Sequence, residues 1–368
     1  MESITCIIGG GQILLPIEYD IQPCFEEYLD NEHKLFLADL RTIESANPLI
    51  EKEQRMGRPS YPLTAFRRSF YAQYKFRLNT IEELRDRLNS DANLRQICGF
   101  HKVPSLPTFC RRLKELAEQH DADVTQRKMI TKYMKNRIIL NVNRDSTAIE
   151  ARQRPVNLKR NAISSDTKKY KRGRPRKNEK REVKSSVLLQ QTSDTPEQSI
   201  AKLANRCQWG VKINSQGNRY FWKGYKLHLD VSDTGIPLTA VVTGANVHDS
   251  QLAIPMEQMT EHRCIFLYSL MDSAYDAKII HEFIRSRGRV PVIDPHKRRN
   301  GECRELDPAK KCRFKIRSTV ERSNALLKDW FIPHRICVRS ALATTFILLN
   351  AVVLMTAERL LLNGFVPD

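Results

Sequence analysis

The sequence predicts an α/β domain with helical regions before and after it. From about residue 137 the apolar residues change from helical spacing to alternation, which marks the first strand of a sheet. Strand-like and helix-like segments then follow one another to about residue 337, an order typical of α/β folds. The chain has 368 residues, more than one hydrophobic core usually organises, so two or three structural units are expected.

The charge balance indicates a polyanionic partner. The chain contains 61 Lys and Arg residues against 42 Asp and Glu residues, a net charge of +19. Hydrophobic residues make up 41%, enough to form cores, and the mean hydropathy of -0.48 argues against an integral membrane protein. We therefore expect nucleic acid as the partner and no membrane. A cytoplasmic location is expected because the first residues lack the pattern of a signal peptide.

Helical spacing over residues 60–120 predicts a helical N-terminal domain, which is assigned to residues 1–125. Thr80 and Glu83 have the spacing of a capping box, which marks the start of a helix. Three short helices are predicted in this region, at residues 81–89, 91–98 and 107–118.

The order of these three helices is compatible with a helix-turn-helix. In that arrangement the third helix would present Arg111 and Arg112 to DNA. The alternative is a basic helix face that contacts only solvent, and the sequence gives the two interpretations similar weight.

Three acidic residues follow or lie on predicted elements of the α/β region. Asp145 is expected at the exit of the first strand, and Asp272 at the end of an apolar strand over residues 264–272. Glu321 lies on a predicted helix over residues 315–329. Carboxylates that converge from several elements can hold two divalent cations for chemistry at phosphorus. The alternative is that each is a cap or turn residue.

The helix that carries Glu321 also carries two cations. At 100° per residue, Arg317 lies about 40° and Lys328 about 20° from Glu321 around the helix, so all three are expected on one face. Cations beside a metal-binding carboxylate suit a phosphodiester that lies across that face. A surface Arg–Glu pair with an unrelated lysine is the alternative.

A basic segment separates the first strand from a predicted hairpin. Residues 151–184 contain 14 Lys and Arg residues and three acidic residues, a net charge of +11. Within it, residues 171–177 resemble an AT-hook, which would bind the minor groove of A·T-rich DNA. The candidate DNA-binding residues of this motif are Arg172, Arg174, Arg176 and Lys177. A generic basic linker is the alternative.

The uncharged C-terminal stretch over residues 340–357 raises the question of a membrane span. Its length is marginal, and it contains several Ser, Thr and Asn residues. We therefore expect buried C-terminal helices over residues 338–364, packed on the α/β domain.

Several motifs resemble the DDE transposases of bacterial insertion sequences. The segment Phe314-x2-Arg317-x3-Glu321-x6-Lys328 is similar to the Tyr-x2-Arg-x3-Glu-x6-Lys signature of one branch, with the tyrosine replaced by Phe314. This replacement keeps the ring and removes a phenolic hydrogen bond. Residues 145–147 and 272–276 resemble the two aspartate motifs of these enzymes. Residues 246–250 resemble another recurrent motif, in which Asp249 is expected to cap a helix, and residues 57–62 resemble part of their N-terminal domain.

The resemblance implies a ribonuclease H-like catalytic domain over residues 137–337, with a basic insertion at about residues 146–218. It implies that Asp145, Asp272 and Glu321 are the catalytic residues and the ligands of two Mg²⁺ ions, for which Mn²⁺ can substitute. Arg317 and Lys328 would contact DNA beside the cleavage site.

The function implied is that of a transposase. It would bind terminal inverted repeats, cleave DNA at the element ends and join the 3′-hydroxyl ends to target DNA. Double-stranded DNA would be the partner, a homodimer would form in the synaptic complex, and the protein would be associated with the nucleoid. Two alternatives remain open: a catalytically inactive, sequence-specific DNA-binding regulator, and a ribonuclease H-like nuclease that does not join strands.

Overall fold

The computed structural model describes the backbone of residues 5–8 and 11–14 and, in full, residues 26, 28–51, 60–155, 186–212, 216–296, 305–333 and 336–365, with the backbone of residue 213. The AT-hook-like motif over residues 171–177 lies outside the described residues, as do residues 57–59. The assignments of Arg172, Arg174, Arg176 and Lys177 to DNA binding therefore stay predictions.

The N-terminal region is helical after a short antiparallel hairpin. The strands are β1 (Thr5–Ile8) and β2 (Gly11–Leu14). The helices are α1 (Asn31–Ala46), α2 (Leu63–Lys75), α3 (Ile81–Ser90), α4 (Ala92–Cys98), α5 (Leu106–Glu118) and α6 (Asp121–Met134). The three short helices expected from the sequence are therefore confirmed as α3, α4 and α5.

Helix α3 begins with a variant of the expected capping box. The backbone N–H of Glu83 donates to the Thr80 hydroxyl at 3.1 Å. The Glu83 carboxylate reaches back to the backbone N–H of Asn79 at 2.8 Å, one residue before the cap. Both bonds satisfy donors at the start of the helix that have no partner within it.

A mixed sheet forms the second part of the fold. Its strands are β3 (Ile138–Glu150), β4 (Gln208–Ile213), β5 (Arg219–Val231), β6 (Pro237–Gly244), β7 (Ile265–Met271) and β8 (Val290–Ile293). The spatial order is β6-β5-β3-β7-β8. Strand β5 is antiparallel to β3 and β6, whereas β3, β7 and β8 are parallel. Strand β4 pairs with the first half of β5, in a region where the sequence predicted only an insertion.

Strand β3 is longer than the sequence predicted. Asp145 was expected at the strand exit, but the strand continues to Glu150 because its pairing with β5 extends to the Glu150–Gly224 pair. On the other side, pairing with β7 stops at Asn143 and Leu270. Asp145 therefore lies in mid-strand, just beyond the point where the neighbouring strand ends.

Helices and short turns connect and cover the strands. The α-helices are α7 (Val187–Gln191), α8 (Pro196–Ala201), α9 (Ala253–Glu261), α10 (Lys278–Ser286), α11 (Pro308–Phe314), α12 (Ser318–Leu326) and α13 (Ala341–Leu362). The 3₁₀ turns are Asp249–Leu252, Ser273–Tyr275 and Lys315–Arg317, and a π-helical segment spans Leu327–Phe331.

Helix α13 joins the two parts of the fold. By length and composition it could cross a membrane, but 72% of its most apolar window is buried inside the protein. It packs on β6 and on four N-terminal helices, and the Phe70 and Phe346 rings meet edge to face at 5.9 Å. An ion pair of 2.7 Å joins Lys75 to Glu358. One buried helix is therefore found where the sequence predicted several C-terminal helices, and it packs on the N-terminal helices as well as on the sheet.

Candidate active site

Two of the three expected carboxylates lie on neighbouring parallel strands. Asp145 lies on β3, and Asp272 directly follows β7. The Asp272 carboxylate accepts a hydrogen bond from the backbone N–H of Ala274 at 3.1 Å, which fixes it at the start of a 3₁₀ turn. The side-chain amide of Asn324 donates to Asp145 at 3.0 Å from helix α12. The fold therefore brings both aspartates to the place where β7 ends.

Arg317 connects Asp145 to the third carboxylate. Its Nη2 donates to Glu321 Oε1 at 2.5 Å, and its Nη1 lies 3.6 Å from Asp145 Oδ1. The Phe314 ring centroid lies 5.7 Å from the guanidinium, which is within the range of a cation–π contact. The Arg317–Glu321 pair exists as the helix geometry predicted, and it faces the sheet rather than solvent alone.

The electrostatics of the site reflect crowded carboxylates. Burial is the main effect that raises the pKa of Asp145, Arg317 lowers it and the charge of Asp272 raises it, and the resulting pKa is about 6. Burial also raises the pKa of Asp272, again against the attraction of Arg317. One guanidinium therefore compensates charge that belongs to several carboxylates, and an additional cation would stabilise their ionised forms.

A metal centre is not assembled in the described part of the chain. Among those residues, no group of three or more His, Cys, Asp or Glu side chains is arranged to hold a metal ion. The chemistry of the donors fits Mg²⁺ nevertheless, because hard carboxylate oxygens are its preferred protein ligands. The raised pKa of Asp145 also suits a metal ion, because a divalent cation beside the carboxylate would lower that pKa.

The assignment of Lys328 to the Glu321 face stays a prediction. The assumed 100° per residue holds to Leu326, and a π-helical segment begins at Leu327. Lys328 lines a cavity of about 240 Å³ that also borders Glu150 and Tyr220. Burial lowers its pKa, Lys212 lowers it further, and the charge of Asp145 opposes them.

The two arginines proposed for the third helix of the helix-turn-helix have different environments. Arg111 is exposed on α5. Arg112 is half-buried, pairs with Glu115 on its own helix at 2.5 Å, and lies 5.9 Å from the Phe66 ring. Only Arg111 is therefore fully available to a partner, and DNA contact by either residue stays a prediction.

A second cluster beside Asp145 was missed from the sequence. Asp249 was expected to cap a helix, but His248 takes that role through its ring nitrogen. The Asp249 carboxylate pairs with Lys226 at 2.9 Å. Burial alone would raise the pKa of Asp249, but His228, Lys226 and Ser146 together lower it. Asp249 is therefore a fourth ionised carboxylate near Asp145. The alternating polar residues of β5 were the available signal.

A buried ionic network lies on the opposite face of β3. Arg144, next to Asp145 in sequence, is fully buried and donates twice to Asp230, at 2.6 and 2.7 Å. It also donates to the Ala253 carbonyl at 2.7 Å and to Glu257 at 3.3 Å. The network anchors the strand that carries Asp145 to β5 and α9. No local sequence pattern predicts this network, because Arg144 lies 86 residues from Asp230 and 113 residues from Glu257 in the chain.

Comparison with protein-family models identifies both parts of the chain. The family described as Transposase DDE domain matches residues 145–356, more than half of the chain. The family described as Transposase domain (DUF772) matches residues 24–115. Neither the curated proteins nor the solved structures contain a match. The assignment to the Tyr-Arg-Glu-Lys branch stays a prediction. The two domain matches show that the chain belongs to the DDE transposases of insertion sequences.

Proposed function

We propose that this transposase binds terminal inverted repeats, cleaves DNA at the element ends and joins the freed 3′-hydroxyl ends to target DNA. The observation that carries the proposal is the approach of Arg317 to both Asp145 and Glu321, beside the end of β7 where Asp272 lies. A site of clustered carboxylates and one guanidinium suits a phosphodiester and divalent cations.

The catalytic domain is proposed to be ribonuclease H-like and to span residues 137–337, with the insertion at about residues 146–218. The strand order supports this assignment, since three antiparallel strands are followed by two strands parallel to the first. The helical domain over residues 1–125 would bind DNA. The helices over residues 338–364 would pack against both the helical domain and the catalytic domain and stabilise them.

Asp145, Asp272 and Glu321 would hold two Mg²⁺ ions, or Mn²⁺ in their place. Bound ions would supply charge stabilisation at the phosphate and a more acidic water. In cleavage, the water oxygen bonds to phosphorus, the bond from phosphorus to the 3′-oxygen breaks, and that oxygen leaves as a hydroxyl. In joining, this 3′-hydroxyl attacks a target phosphodiester, and the target strand's own 3′-oxygen is released.

The chain's own residues would orient and neutralise the reacting phosphate. Arg317 lies against two carboxylates with its guanidinium already held, so little reorganisation is needed to compensate charge near them. Lys328 would act further along β3, where it borders the end of that strand. Arg111, Arg112 and the AT-hook-like motif would hold flanking DNA. The synaptic complex would be a homodimer, formed on DNA in the cytoplasm.

The test is incubation of the purified protein with labelled element-end duplex and Mg²⁺. Nicks at the ends together with joined products support the proposal. Nicks without joining identify a nuclease, and binding without nicks identifies a regulator.

Alanine substitution of Asp145, Asp272 or Glu321 should abolish cleavage and leave duplex binding largely intact, because a lost ligand disrupts the metal pair. Glu282→Gln is the control, since this exposed carboxylate lies on α10 and pairs only with Lys278 in the described chain. Cleavage within about tenfold of wild type in any of the three variants would remove that residue from the site.

A further inference from the structure

Three arginines converge on one cavity at the far end of β3. Arg152, Arg154 and Arg339 line a space of about 470 Å³ together with Gln153. Within the residues that the structure describes, no carboxylate forms an ion pair with any of the three. Like charges that face one cavity repel one another, and a bound anion would relieve that repulsion. We infer that this arginine cleft binds the phosphate backbone of the element-end DNA, about two thirds of a helical turn from the cleaved bond.

The backbone of the arginine cleft is fixed in the free protein. The backbone N–H of Arg152 donates to the Ile336 carbonyl at 2.9 Å, and the N–H of Ile336 donates to the Glu150 carbonyl at 3.1 Å. This parallel bridge holds the two segments that supply the arginines side by side. Gln153 is held as well, because the Tyr225 hydroxyl donates to its side chain at 2.8 Å. The backbone that carries these arginines is therefore held in place before DNA arrives.

One lysine, Lys328, lies on the path between the arginine cleft and the candidate active site. It borders the cavity that Ala148 and Glu150 of β3 line, and these two residues lie between Asp145 and Arg152 along the chain. Glu150 is the acidic residue on this path, and its carboxylate accepts a hydrogen bond of 2.5 Å from the Tyr220 hydroxyl. Duplex DNA that enters at the arginines would thus pass Lys328 before it reaches the carboxylates.

The length of β3 sets the spacing. Asp145 and Arg152 are seven residues apart in extended chain, which spans about 23 Å at roughly 3.3 Å per residue. Phosphates along one strand of duplex DNA are spaced by about 3.4 Å of helix axis. The arginines should therefore contact phosphates between about five and eight nucleotides from the scissile bond. This inference deepens the proposed function and adds a defined register to it.

The first test measures duplex binding in EDTA at several salt concentrations, so that it does not depend on cleavage. The triple variant R152Q/R154Q/R339Q should lower the slope of log K against log salt by about two to three, since each phosphate contact contributes roughly 0.9. R152K/R154K/R339K should keep most of the slope. R285Q, an exposed arginine on α10, which packs against the edge strand β8, is the matched control and should match the wild type.

The second test replaces single phosphates of the element-end duplex with uncharged methylphosphonates. Substitution within the expected window should weaken wild-type binding several-fold and leave the triple variant unaffected. An unchanged salt slope in the triple variant, or interference confined to other phosphates, overturns the inference. If the protein binds DNA with this register but never cleaves it, the proposed function is refuted, whereas DNA binding by the arginine cleft is supported. Equal melting temperatures for wild type and variants confirm that the exposed substitutions preserve the fold.

Discussion

Replacing Arg144 with methionine should destabilise the protein by about 3 to 5 kcal/mol, the usual cost of removing one partner from a buried ion pair. The guanidinium is wholly buried and donates twice to Asp230 and once to Glu257. Without it, both carboxylates remain in the interior, and the remaining partners among the described residues are Arg289 and hydroxyl donors. This loss is a large fraction of the 5 to 15 kcal/mol that typically stabilises a folded domain.

Urea denaturation followed by tryptophan fluorescence measures the effect, and a second variant tests its cause. In R144M/D230L the carboxylate that lost most of its bonds is also removed, and Thr260 still bonds Thr239 at 2.8 Å. The double variant should therefore lose less stability than the two single variants together. A loss below about 1 kcal/mol for R144M, or strict additivity of the two substitutions, would refute the reasoning.

Further expected outcomes concern the DNA contacts and one buried histidine. Arg317→Ala and Lys328→Ala should each slow cleavage by about 10² to 10³-fold, the cost of one contact to developing charge, with little change in melting temperature. Normal cleavage by Lys328→Ala would break the signature interpretation. Neutralising residues 168–181 should weaken binding more on A·T-rich than on G·C-rich duplexes, and equal losses would indicate a generic basic linker. Burial lowers the pKa of His228 to about 4, so stability should fall between about pH 6.5 and 4, by roughly 3 kcal/mol. His228→Gln should flatten that dependence in pH-resolved unfolding, whereas an unchanged profile would assign it to other groups.

Local signals in the sequence were sufficient for elements whose stability is largely local. Thr80 and Glu83 predict the start of helix α3, because their side chains accept hydrogen bonds from backbone N–H groups at that end of the helix and need no distant partner. Strand β7 is marked in the sequence by its run of apolar residues, and Asp272 ends it by capping a turn. The burial of α13 also followed from its composition. In each case the residues that decide the structure lie close together in the chain.

Features that depend on distant partners could not be predicted in the same way. The polar run after Asp145 resembles a strand exit, yet β3 continues because β5 supplies hydrogen bonds as far as Glu150. The π-helical segment that carries Lys328 directly follows α12 and packs against α13, which is distant in sequence. The fixed rotation of 100° per residue used for the sequence takes no account of such a segment.

The two faces of β3 explain why the site can tolerate crowded carboxylates. A strand that presents Asp145 to one side, with Asp272 nearby, accumulates repulsion that burial intensifies. On its other side the same strand is fixed by Arg144, whose bonds reach β5 and α9 and do not involve the site. Because the anchor and the carboxylate occupy successive positions of one strand, their side chains point to opposite faces. Repulsion among the carboxylates therefore acts on a strand whose backbone is fixed by Arg144 on the other face. A bound cation can relieve this repulsion without movement of the strand.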